Sequence, residues 1–532
     1  MLDIFRDSPA GRILRFLSNT TRARCFEDDP NSCLPAPYSD AATTSSSRDP
    51  EAGTMVSAEV KDNITVVIWY SDTDPENPYN WSSGKKLWVG MLLFVYTFAV
   101  YIGSSLYTTS EPEIVQIFGV SDIAAAVGLT IYVLAYGIGP MLWSPLSEIP
   151  AVGRNLPYIT TLFLFVVLCV PMSLVNNFAG ILVLRFLLGF FGSPCLATGG
   201  ASYGDFYGPV AMPYVIAMWG GGATLAPALG PLVGGFAVEK MGWRWSSWEL
   251  LWLSGPIWVL MFFSMPETSS DNILLRRAQR LRARTGRQDL KSESEMRQSW
   301  MDAQQITADA LIKPWEINAR DPAVLFSTFY TALTYAIFYS FFESFPLVYQ
   351  GIYGFNLGEL GLAFLAVLVG LFVAIALLCA YLYFLAPKQL GKYDKNNIPP
   401  EARLWPGLTA TFLIPIGQFI FAWTARASIH WIVSLLGVAI TMCGIFIITQ
   451  SMFIYLPFTY ARYSGSLFAA NGLARSVLAG AAILFSRPMF QALKISGGVS
   501  LLAGASVLCI PGMYTLYHYG AFLRKRSRFA VS

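Results

Sequence analysis

MPETSSDNILLRRAQRLRARTG, residues 265–286, opens the one long charged stretch of a chain otherwise dominated by apolar runs. The stretch, roughly 266–320, holds Arg276, Arg277, Arg280, Arg282, Arg284 and Arg287 and nothing apolar enough to cross a bilayer. On either side of it the apolar runs fall into two sets of six. They read at about 87–108, 124–146, 156–175, 178–200, 211–236 and 248–265, then 322–345, 358–386, 404–425, 428–455, 464–490 and 496–518. Each is close to the roughly 20 residues a helix needs to span the hydrocarbon core. The composition agrees: 54% of the 532 residues are hydrophobic and 13% charged, with a mean hydropathy of +0.49. A water-soluble globule is excluded, and the reading is an all-α membrane protein.

The same spacing divides the chain. Residues 1–86 are polar and rich in Ser, Asp, Pro and Thr, and are expected to form a largely disordered tail. MLDIFRDSPAGRILRFL at its start reads either as a short amphipathic helix on a membrane surface or as plain flexible tail. A six-helix bundle over 87–265, a linker over 266–321, a second bundle over 322–518 and a short tail over 519–532 follow. Basic residues near span ends set the orientation. Lys85, Lys86, Arg154, the 276–287 cluster, Lys388, Lys392, Lys395, Arg403, Arg462 and RKRSR at 524–528 fall on one side; Lys240, Arg244, Arg426 and Lys494 fall on the other. Both termini are therefore expected in the cytoplasm. Two bundles joined by a charged linker suit a carrier that rocks about a site near the bilayer midplane.

Other classes find little support. A net charge of +3 without basic residues interleaved with aromatics gives no nucleic-acid surface. Seven scattered cysteines without a CxxC pair suggest no disulfide framework and no metal site. No GxxxxGK[ST] loop is present, so no nucleotide is implied, nor any organic cofactor. Gly200-Ala-Ser-Tyr-Gly204 satisfies GxSxG, the elbow of serine hydrolases, but a span rather than a strand precedes it and His430 and His518 lie in later apolar segments. It reads as a chance match, with Asp205 beside it an interfacial carboxylate that anchors a loop and counts among the gating candidates.

Several stretches carry chemistry. In GPMLWSPLSEIPAVGRNLPY (139–158), Glu148 and Gly153-Arg154 can bridge neighbouring helix ends as a gate, or form an ordinary turn. Arg185 lies several residues inside an apolar run, at a cost of about 2.5–3.5 kcal/mol for a charge at mid-membrane. It faces a protein interior or cavity, unless it snorkels to the outer interface. MWGGGATLAPALGPLVGGF (218–236) has prolines that would bend an isolated helix and glycines that let a neighbour approach closely. In YAIFYSFFESFPLVYQGIYGF (335–355), Glu343 among aromatics is placed to exchange a proton, or else caps a helix end near water. Trp219, Tyr335, Phe338, Tyr339, Phe342 and Phe345 offer an apolar binding wall, and Arg475 and Arg487 are further gating candidates.

These motifs resemble those of the major facilitator superfamily. The 139–158 loop is similar to its signature between spans 2 and 3, with Ser144 for the usual glycine, Asn155 for a second basic residue and extra residues between Glu148 and Gly153. Arg185, Gly189 and Gly192 resemble its span-4 motif, whose arginine is implicated in proton coupling. APALGPLVGG (226–235) resembles the antiporter motif of drug exporters, through Pro227, Gly230, Pro231, Gly234 and Gly235, which uptake symporters generally lack. The linker, DPENPYNW (74–81), GSPCLATGGAS (192–202) and YGAFLRKRSRFA (519–530) resemble fungal twelve-span drug:proton antiporters of the multidrug and benomyl/cycloheximide-resistance kind. The resemblance implies proton-driven efflux of amphipathic or aromatic compounds, whether drug, fungicide or self-made toxin. A monomer in the plasma membrane is implied, its partners being cargo, protons and lipid. An uptake symporter, an enzyme built on Ser202 and a non-transporting sensor are the alternatives.

Overall fold

The computed structural model describes residues 2–17, 25–28, 34–38, 60–61, 64–208, 210–298, 312, 315–392, 399–460 and 464–526. Polar residues at the edges of the apolar runs start the helices by accepting from otherwise unpaired backbone N–H groups. Ser82 caps span 1 (Ser83–Ser105), Ser121 span 2 (Asp122–Glu148), Asn177 span 4 (Phe178–Gly192, continued by Pro194–Phe206) and Asp321 span 7 (Pro322–Phe345). Asn356 and Glu359 form a reciprocal capping box at the head of span 8 (Leu357–Ala363, then Leu365–Ala380). Span 3 is Asn155–Leu174, span 5 Met212–Met241, span 6 Trp245–Ser264, span 9 Trp405–Ala410 with Leu413–Thr424, and span 10 Trp431–Thr459.

Ten helical stretches among the described residues are long and apolar enough to cross a membrane. Two facts bring these to twelve spans. The last stretch lies in one continuous helical run, Ser464–Arg526, that breaks at Lys494, the only described non-glycine residue with positive φ (62°), giving span 11 (464–493) and span 12 (495–526). Span 6 carries tryptophans, serines and a proline among its aliphatic residues, and its 20 residues rise about 30 Å, the hydrocarbon thickness. Within the first half span 1 packs on span 5, span 2 on span 4 and span 3 on span 6; between the halves span 2 meets span 11 and span 5 meets span 8.

Span 5 remains one helix despite Pro227 and Pro231. Its glycines explain the fit. A side chain on Gly230 would collide with Ser105 of span 1, and a Cβ on Gly235 would stand 2.7 Å from the Leu357 carbonyl at the head of span 8. The stripe presses against both halves at once.

The polar tail departs from expectation, because its described parts fold against the linker. Strand β1 (Val60–Lys61) pairs antiparallel with β2 (Ile64–Val67), and β2 pairs in parallel with β3 (Leu290–Ser292) of the linker. Beside them lies the arginine-bearing helix Ser270–Thr285. Arg277, 1% exposed, reaches Asp74 at 2.6 Å, Glu76 at 2.9 Å and Glu27 at 3.2 Å. Arg280 joins Glu27 at 2.9 Å and Glu76 at 3.0 Å. Burial alone would push the Asp74 carboxyl up, but the hydrogen bonds and charge of Arg277 outweigh it and hold the group below the ordinary aspartate range. Glu27 is held low in the same way, burial being overcome by Arg280 and Arg277. Composition suggested disorder because the tail lacks apolar residues; ion pairs and a small core of Tyr38, Val67, Ala278, Leu281 and Leu290 compensate. Cys25, Glu27 and Glu76 bring donor atoms within 4.8 Å of one another, a metal-like cluster, but both carboxylates are already paired with arginines. At the other terminus the expected tail from 519 is helical through Arg526.

Candidate functional site

Three of the spaces among the described residues mark the interface between the halves. The first, about 270 Å³ at the linker end, is lined by Glu148, Arg154, Asp205, Met212, Phe453 and Phe468 among others. Three of the expected gating residues, Glu148, Arg154 and Asp205, line it together. Arg154 Nε meets Asp205 Oδ2 at 3.4 Å and its Nη1 donates to Ser147 Oγ at 2.9 Å, whereas Glu148 is exposed and enters no ion pair among the described residues. The carboxylate that answers Arg154 comes from the end of span 4, across the bundle. Gly153 is required where it stands: φ is +71°, and a Cβ would lie 2.5 Å from Glu267 Oε2. Glu267 in turn accepts from the backbone N–H of Arg154 at 2.9 Å and of Asn155 at 3.3 Å, tying the loop to the linker. Burial would lower the proton affinity of Arg154, but Asp205 more than restores it, so this arginine stays charged.

The second space is central and small, about 50 Å³, lined by Tyr101, Trp219, Tyr335, Phe338, Gln450 and Arg475 among others. Trp219 Nε1 donates to Thr97 Oγ1 at 2.9 Å, which fixes the indole. Arg475, expected as a gate, instead stands in this wall, its guanidinium 5.2 Å from the Tyr335 ring centre and 5.0 Å from that of Phe453. Its Nε is buried without a hydrogen-bond partner. Ligand pockets are roughly 300–1,000 Å³, so this one must widen to admit cargo. A knot of hydroxyls holds it shut: Tyr136 of span 2 meets Tyr335 at 2.6 Å and Tyr339 at 2.9 Å, and Ser104 of span 1 meets Tyr339 at 3.2 Å. Phe345 belongs elsewhere; it is fully buried and packs on Phe364 and Phe421 within the second half.

The third space, again about 270 Å³, lies at the far end and is lined by Glu111, Asp122, Phe342, Glu343, Gln350 and Arg487 among others. Arg487 of span 11 bridges to Asp122 of span 2 at 3.3 Å, an ion pair between the halves. Glu343 is 6% exposed and opens onto this chamber.

Arg185 does not join Glu343 in a shared cavity, as the sequence suggested. It is 3% exposed and donates to the carbonyls of Gly128 at 3.1 Å, Gly103 at 2.7 Å and Ser104 at 3.3 Å. The rings of Tyr107 and Tyr132 lie 4.5 and 4.3 Å from its guanidinium carbon. Carbonyl dipoles and π-faces thus stand in for a carboxylate, and Arg185 pins spans 1, 2 and 4 together. Snorkelling is excluded. Ser202 of the GxSxG match is fully buried and hydrogen-bonded to Tyr158 at 2.9 Å, a packing contact.

This layout, two packed bundles with an aromatic centre and polar chambers at each end, accords with the comparison of the chain with known families. The model described as Major Facilitator Superfamily matches residues 93–523. The chain belongs to the major facilitator superfamily. It is 44% identical to the "MFS-type transporter pyvG" of Aspergillus violaceofuscus, with all of both chains covered. It is 36% identical to the "Cycloheximide resistance protein" of Candida maltosa, also over the full length of both. It is 35% identical to the "MFS-type efflux pump MFS2" of Trichophyton rubrum over 87% of this chain and 77% of the other. The protein is a multi-pass membrane transporter of the efflux type.

Within that superfamily fold, sequence reading missed Glu111 and Asp122. TSEPEI was taken as lying beyond span 1, yet the helix tightens over Leu106–Ser110 and resumes as Glu111–Phe118. Ser110, Pro112 and the acidic pair Glu111 and Glu113 are a helix-start pattern that was there to be read.

Proposed function

We propose that the chain exports amphipathic or aromatic organic compounds across the plasma membrane in exchange for protons, as a monomer with both termini in the cytoplasm. The observation that carries this reading is the composition of span 7. Tyr335, Phe338 and Phe342 follow one another at steps of three and four residues and Glu343 adjoins Phe342, so one helix lines both the central aromatic space and the far chamber. Cargo displacing Tyr335 and Phe338 and a proton on Glu343 therefore act on the same rigid body, which is the linkage an exchanger needs. Arg475, Trp219 and the tyrosine knot form the cargo site. Arg154 with Asp205 holds the linker end, Arg487 with Asp122 the far end, and Arg185 is a positioning residue. The span-5 glycine stripe gives the surface on which the halves rock.

The drug-resistance names of the relatives support cargo of the drug or toxin class. The test uses the purified full chain in vesicles with an amphipathic aromatic dye as probe. Vesicles acidic inside accumulate the dye, since cargo moves against the proton flow; accumulation only in vesicles acidic outside would make the protein a symporter. Glu343→Gln is expected to abolish the pH-driven part, and undiminished pH-driven transport in that variant would remove the carboxylate from the mechanism.

A further inference from the structure

We propose that the far chamber holds a second proton-binding site, Glu111, which works with Glu343 as a carboxylate pair divided between the two halves. The inference rests on the exchanger reading above and extends it to how many protons the chamber binds. Four observations converge. Glu111 lines the chamber at the point where span 1 gives way to the Glu111–Phe118 helix, while Glu343 lines it from span 7. Glu111 Oε1 is buried with no hydrogen-bond partner, and so is Arg487 Nε at the same chamber. A buried carboxylate oxygen left without a donor is costly, and a native fold retains one where the group has work to do. Finally, Glu111 lies within electrostatic reach of Glu343, Arg185, Arg487 and Asp122.

The charges facing Glu111 come from every element around it. They are Arg185 on span 4, Arg487 on span 11, Glu343 on span 7 and Asp122 on span 2. Arg487 is itself engaged by Asp122 at 3.3 Å. Two carboxylates in one chamber with a single shared arginine cannot both ionise freely, so their protons are bound in coupled steps. The proton taken from water at the far end forms an O–H on Glu111 or Glu343. The same proton leaves to water at the linker end after the halves rock, so proton and charge balance over the cycle. When the far side opens, Glu111 and Asp122 move with the first half while Glu343 and Arg487 move with the second. Separation removes the mutual repulsion and breaks the Asp122–Arg487 bridge, which gives the protonation state a direct hold on opening. Glu111 also places Arg185 in the circuit. That arginine acts on the Glu111 side of the pair.

The experiment is an infrared pH titration of the purified full chain in lipid vesicles, following the protonated-carboxyl band, with no cargo required. The native chain is expected to titrate in two coupled steps. Glu111→Gln, an isosteric change, should leave one step, and so should Glu343→Gln. Asp122→Asn should keep both steps with altered spacing, and it controls for disruption of the chamber, as does the thermal midpoint of each variant. Two undisturbed steps in a folded Glu111→Gln protein would overturn the proposal while leaving the exchanger reading intact. Two undisturbed steps in Glu343→Gln would overturn the exchanger reading itself.

Discussion

Buried charge is handled in opposite ways at the two ends of this molecule. At the linker end Arg277 and Arg280 meet Glu27, Asp74 and Glu76 through a closed set of ion pairs between 2.6 and 3.2 Å. At the far end Glu111 Oε1 and Arg487 Nε are buried beside a cavity with no hydrogen-bond partner. A closed set fixes one shape, because losing any member strands its neighbours in low dielectric. An open set beside water-accessible space leaves each charge free to change its proton or its partner. The difference separates scaffold from machinery more sharply than burial does.

The comparison can be broken or sharpened by experiment, starting with the largest effect. Glu343→Gln should reduce pH-driven efflux to background, whereas Glu76→Gln should leave the rate per folded molecule unchanged; equal losses in vesicle assays would erase the distinction. Arg277→Ala should cost the tail–linker assembly about 3–5 kcal/mol, since it strands buried Asp74 and leaves Glu27 and Glu76 with Arg280 alone. Hydrogen exchange at Leu290–Ser292 would report this as lost protection, with transport retained. Gly235→Val should cost about 1–3 kcal/mol by overpacking span 5 against span 8, read as a lower thermal midpoint and slowed turnover together. Arg475→Ala should weaken cargo binding by roughly 5–30-fold, the loss of a desolvated cation–π contact of about 1–2 kcal/mol, measurable by quenching of tryptophan emission.

The smallest effect near neutrality concerns acid. Asp74 and Glu27 are held below their ordinary values of 3.8 and 4.5. Their contribution is therefore fully present above those values and is lost as pH falls through the depressed ones. Exchange protection of the tail strands should stay flat above about pH 5 and decline only under stronger acid. A decline between pH 7 and 5 would mean that other groups hold the assembly.

Hydropathy is a local property, and what depends on it was legible: twelve spans, the six-plus-six division and a charged linker were all readable from runs of about 20 residues. The residue types at Arg154, Arg185 and Glu343 announced themselves as charges in costly places. Their partners did not. Glu148 is six residues from Arg154 and looked like its mate, but although both line one chamber it is Asp205, 51 residues away, that makes the contact. Arg277 and Asp74 are 203 residues apart, so a tail poor in apolar residues looked unable to fold. No periodicity encodes such pairings. The glycine stripe of span 5 was readable as close approach, while the surfaces it approaches, Ser105 and Leu357, were not.

The parallel pairing of Ile64–Val67 with Leu290–Ser292 also sets an order of events during synthesis. The tail strand emerges before any span, and its partner emerges only after all six spans of the first half have left the ribosome. Through that whole interval the nascent chain carries an open strand edge. Closure at residue 290 then acts as a completion mark for the first bundle. A chain halted earlier can insert its helices, yet it still displays that edge to whatever surveys unfinished membrane proteins.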